Sequence, residues 1–149
     1  MRDVREEILV RLLAIAGAVP GVVTAARNRN NIAENERPAI LILDADEAAE
    51  PNDPVNRPAN APRRIGMTPE IYILLGAKPD NVGASINGLR QRFLGAVMHD
   101  AELGQIIGTN GRIRYEGCAT GLTLGRKIEA EMGVSMTFSY FLIPSDLTA

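Results

Sequence analysis

The sequence predicts an α+β domain: a mainly antiparallel sheet with two helices packed on one face, in the order α-β-β-β-α-β-β. Three observations predict it. Two segments repeat apolar residues at helical spacing, and five others have the alternation or β-branched content of strands. The strands fall in consecutive runs, three and then two, where a parallel sheet would alternate them with helices. A chain of 149 residues, 46% of them hydrophobic, suffices for one core and reads as a single domain over 1–149.

Asp3 is placed as an N-cap. Behind it Val4, Ile8, Leu12 and Ile15 recur at helical spacing, Leu9 and Leu13 widen the stripe, and Arg5, Glu6, Glu7 and Arg11 take the outer face. Gly17 and Pro20 predict a stop, giving a helix over Asp3–Ala16. "GVVTAARNRN" then reads as a short strand entering a polar turn. "RPAILILD" is a second strand, apolar on both faces and therefore central.

Ile65, Met67, Ile71, Ile73 and Leu75 alternate in a third strand, with Tyr72 and Leu74 on its other face and Pro69 marking a bulge or an edge. A second helix opens near Ala84 with a stripe of Ile86, Leu89, Phe93 and Val97. Gly88 and Gly95 weaken it by about 1 kcal/mol each relative to Ala, which close packing on a sheet would explain. "DAELGQIIG" adds a further turn or two, capped by Asp100. Arg112, Arg114 and Glu116 alternate with Ile113 and Tyr115 in a strand with one wet face. "CATGLTLGRK" is less regular, as a bulge or loop would be. "MGVSMTFSYFLIP" closes the sheet, with Val134, Met136, Phe138, Tyr140 and Leu142 on one face.

Several function classes are excluded on the same grounds. Lys and Arg total 16 against 18 Asp and Glu, with no Trp, three Phe and three Tyr, so neither phosphate neutralisation nor base stacking is served. The pairs Arg63–Arg64 and Arg126–Lys127 are too small for a nucleic-acid footprint. The charged N-terminus does not read as a signal peptide, and no apolar run reaches the roughly 18 residues that span a bilayer.

Catalytic signals are equally sparse. His99 sits where a helix dipole favours an imidazole. Cys118, the one cysteine, lies between Gly117 and Ala119 and is expected to be a buried thiol. The acidic run Asp44, Asp46, Glu47, Glu50 and Asp53 lacks the calcium-loop spacing, no zinc-ligand set is present, and the glycines do not open a helix after a strand as a phosphate loop requires. No catalytic residue, cofactor or metal is expected.

Residues 45–64 form an expected long loop between strands two and three. Pro51, Pro54, Pro58 and Pro62 lie in it, its first part is acidic, and Arg57, Arg63 and Arg64 make its second part basic. Loops longer than about 12–15 residues without secondary structure are usually functional or disordered.

Taken together, "MRDVREEILVRLLAIAGAVPGV", "RPAILILDADE", "PEIYILLG", a helix, and "EAEMGVSMTFSYFL" resemble the tail-terminator proteins of long-tailed bacteriophages. The likeness spans most of the chain as an order of elements. It implies an α+β structural protein of the virion, assembled in the host cytoplasm into a homomeric ring, commonly of six subunits. Such a ring caps the tail tube protein and joins it to the head–tail connector, and the genome passes its lumen without tight binding. On this reading the polarised loop is an arm for the subunit or partner interface, with Asp46, Glu47, Glu50, Asp53, Arg57, Arg63 and Arg64 as contact residues. The alternatives are another neck or tail component, such as a head-completion or tube protein, and a dimeric α+β protein that binds a small molecule.

Overall fold

The structure is a computed structural model that describes residues 2–76, 81–123 and 129–147. The Arg126–Lys127 pair lies outside the described residues. Helix α1 (Val4–Ala18) starts where Asp3 accepts a hydrogen bond from the Glu6 N–H, and it buries Ile8, Leu9, Leu12 and Ile15. It runs past Gly17 because the effective stop is Pro20, which holds Val19 in an extended conformation.

The strands are β1 (Thr24–Arg27), β2 (Ala39–Ala49), β3 (Arg63–Leu75), β4 (Arg112–Thr123) and β5 (Glu129–Leu142). They lie in the order β1-β2-β3-β5-β4, with β1 parallel to β2 and every other pairing antiparallel. The α+β class is therefore as expected, with one parallel strand at the edge.

Helices α2 (Val82–Met98) and α3 (Ala101–Ile107) follow β3. Val82, Ile86, Leu89, Phe93 and Val97 are buried, which is the expected stripe extended by one turn. The turn or two after it is a helix of its own, because Asp100 leaves the helical conformation and accepts from the Leu103 N–H at 2.8 Å. All three helices pack on one face: α1 over β1 and β2, α2 over β3 and β5, α3 on β5. Beneath them Ile40, Ile42, Met67, Ile71, Ile73, Met132, Met136, Phe138 and Tyr140 form the core, each at most 2% exposed. Side chains alternate along a strand, so half of each strand necessarily faces the other way. There, Ala39 and Leu41 gather a small second cluster with Ile32, Tyr72 and Leu74, which accounts for β2 being apolar on both faces.

Two expectations change. Residues 45–49 belong to β2, and the stretch without regular secondary structure between the strands narrows from 45–64 to 50–62. The register shift between Leu43 and Asp46 lies across from Pro69, so a bulge in β2 accommodates a residue without an N–H in the middle of the sheet. Gly88 and Gly95 are not close-packing sites. A Cβ at Gly95 would meet nothing within 4 Å, and at Gly88 only the Arg92 side chain.

Candidate interaction surface

The face of the sheet away from the helices carries Asp46 on β2; Gly66, Thr68 and Glu70 on β3; Gly133, Ser135, Thr137 and Ser139 on β5; and Arg112, Arg114 and Glu116 on β4. The pairings Asp46↔Thr68, Glu70↔Ser135 and Arg114↔Thr137 fix this arrangement. Its centre is paved with glycines and small hydroxyl residues, so the surface sinks between charged rims. Two adjoining hollows result, of about 680 and 460 Å³, both open to solvent. The sequence marked Arg112, Arg114 and Glu116 as a wet face. It did not mark Thr68, Glu70, Ser135 and Thr137 as their neighbours, because local alternation carries no strand order.

The arm, residues 50–62, leaves the end of this face. Its base is tied by its own charges. Asp53 has a side chain only 4% exposed; its carboxylate accepts from the Arg64 backbone N–H at 2.9 Å and from the Arg63 guanidinium at 3.1 Å. Those contacts, the backbone one foremost, hold its carboxyl below the ordinary Asp range. Arg63 also donates to the Pro54 carbonyl. Glu50 accepts from the Ser139 hydroxyl and lies 3.8 Å from Arg64. Arg64 in turn stacks 4.9 Å from the centre of the Phe141 ring and donates to the Asn110 carbonyl.

The expected contact residues thus divide into three groups. Glu50, Asp53, Arg63 and Arg64 come together at the base of the arm, where acid and base answer each other within one chain. Glu47 lies on the helix side, where it accepts from the Tyr140 hydroxyl and stands 3.8 Å from Arg5. Burial, more than that contact, pushes the Tyr140 phenol well above its ordinary value. Asp46 and Arg57 remain, both exposed to solvent, one on the bare face and one on the arm. Asp44 serves the fold: Arg27 bridges it to Glu6 of α1 at 2.7 Å each, and its carboxyl is lowered by that partner.

His99 is the C-cap of α2, its Nδ1 lying 2.9 Å from the Gly95 carbonyl, which is a structural role. Cys118 corrects an expectation: its thiol is exposed. The register shift at Gly117, whose φ of +142° suits glycine, sets Cys118 beside Val134 on the edge strand, outside the cover that α2 and α3 give β3 and β5. Among the described residues, no group of three or more His, Cys, Asp or Glu is arranged to hold a metal, and no helix is long and apolar enough to cross a membrane. No family model matches the chain, and comparison with curated proteins returns no match.

Proposed function

We propose that this chain is a structural subunit that associates head to tail with copies of itself into a ring, commonly of six, capping the tail tube of a long-tailed bacteriophage. In the virion the ring joins the tube protein to the head–tail connector and lets the genome through. The observation that carries the reading is the pairing of a bare sheet face with a projecting arm on the same chain. A heterologous contact joins two different surfaces of one subunit, and such contacts close into rings when the rotation permits. The resemblance of its order of elements to tail terminators is what points to the tail as the place of assembly. Negative-stain imaging and sedimentation of purified protein, alone and with tail tubes, test the reading. Rings of about six, or monomers that cap tubes, are expected. A tight dimer that ignores tubes and binds a small molecule stoichiometrically would overturn it.

A further inference from the structure

The larger hollow on the bare face has a one-sided chemistry. Among the described residues Asp46, Glu70 and Glu116 line it and no Lys or Arg does, Arg114 pairing with Glu116 at 3.3 Å from the adjoining hollow. The half-buried Tyr72 supplies apolar surface between the carboxylates. No residue of the arm lines it, so a chain leaves its own hollow open. The arm has the opposite character. With Asp53 committed to Arg63 and to the Arg64 backbone, residues 54–60 carry a single charged side chain, Arg57. Two residues before it Val55 is 82% exposed, the most exposed large hydrophobic residue among the described ones. Val55 and Arg57 are both exposed within the same short bend of the arm, so the two can be offered together. Pro54 and Pro58 bracket them and reduce the entropy lost on docking.

We propose that the arm tip of one copy seats in this hollow of a second copy, with Arg57 among Asp46, Glu70 and Glu116, and Val55 against Tyr72. The inference rests on the reading that the chain associates with itself, and it names the two surfaces that meet. Arm and hollow are different parts of one chain, so the contact is heterologous and leaves each copy with one free arm and one free hollow. Its charge pairs stand at the surface and should weaken with salt.

The test is charge reversal and rescue, read by sedimentation, with circular dichroism to confirm folding. Arg57→Glu and Glu70→Arg should each weaken self-association about tenfold or more, and the double variant should restore it. Separately, Val55→Cys with Thr68→Cys, on a Cys118→Ser background, should give a ladder of disulfide-linked copies on oxidation. Reversals that leave association unchanged would overturn the docking while the ring reading stands. So would a protein that stays monomeric and gives no ladder. Arm-dependent association that neither forms rings nor caps tubes would uphold the docking and remove the ring reading.

Discussion

Deleting the Tyr140 hydroxyl isolates one buried polar contact from the packing around it. The residue is 2% exposed, and Tyr140→Phe keeps the ring in place, so no cavity opens. What is lost is the hydrogen bond to the Glu47 carboxylate. A bond to a charged acceptor contributes about 1.5–3 kcal/mol. The Glu47 side chain is 36% exposed and keeps Arg5 at 3.8 Å, so water and a cation compensate part of its loss. The lower end, about 1.5 kcal/mol, is therefore expected at neutral pH. The pH dependence has a definite sign. The folded phenol is raised, so the unfolded chain ionises first as pH passes about 10. The stabilisation is complete below that pH and is lost as pH climbs towards the folded value. Phe carries no such group, so the gap between the two proteins narrows in alkali; Tyr72, also raised, is common to both and cancels. Urea unfolding followed by circular dichroism measures this in a chain without Trp. Coincident midpoints at neutral pH, or a gap unchanged at about pH 11, would refute the reasoning.

Phe93→Ala and Phe138→Ala, both at fully buried positions, should each cost about 3–5 kcal/mol in the same assay. Cys118→Ala, at an exposed site, should stay within about 0.5 kcal/mol of the parent. Asp100→Ala removes both the α3 cap and the paired contact with Arg11 and should cost about 1–2 kcal/mol or more. Asp100→Asn keeps the cap but not the ion pair and recovers part of it; no recovery would assign the loss to the Arg11 pair rather than the cap. Binding to duplex DNA, followed by anisotropy at about 50 and 200 mM salt, should be weak throughout; micromolar binding at the higher salt would contradict a passive lumen.

What could be read from the sequence was whatever one element decides alone. The stripe of Ile86, Leu89, Phe93 and Val97 declares itself because a helix lying on a core must bury one face. Asp3 and Asp100 declare themselves because a cap acts within three residues. The second half of β2 did not, because "DADEAA" has the composition of a loop. Two of its charges, Asp44 and Glu47, are satisfied by Arg27, Arg5 and Tyr140, at 17, 42 and 93 residues' remove, which no local window contains. The exposure of Cys118 depends on β4 being an edge, a property of strand order. The arm was legible as a polarised segment outside regular secondary structure, although it folds through turns and bends rather than running extended. That its two charged halves would meet at its own base was not, since sequence shows which charges a segment carries and not the turn that folds it back.

The strand order has a consequence for how the chain is made. β5 follows every other strand in the chain, yet it lies between β3 and β4 and supplies the only partner that either shares with the other. On a ribosome, α1 through β3 can gather early, because β1, β2 and β3 are neighbours in sequence as well as in space. β4 emerges with no edge to join, and the apolar undersides of α2 and α3 must wait with it. A chain cut short before Glu129 would expose two unpaired strand edges and half a core, the condition under which strands recruit other chains. Emergence of β5 is therefore the step that closes this sheet, and non-local pairing of this kind closes slowly.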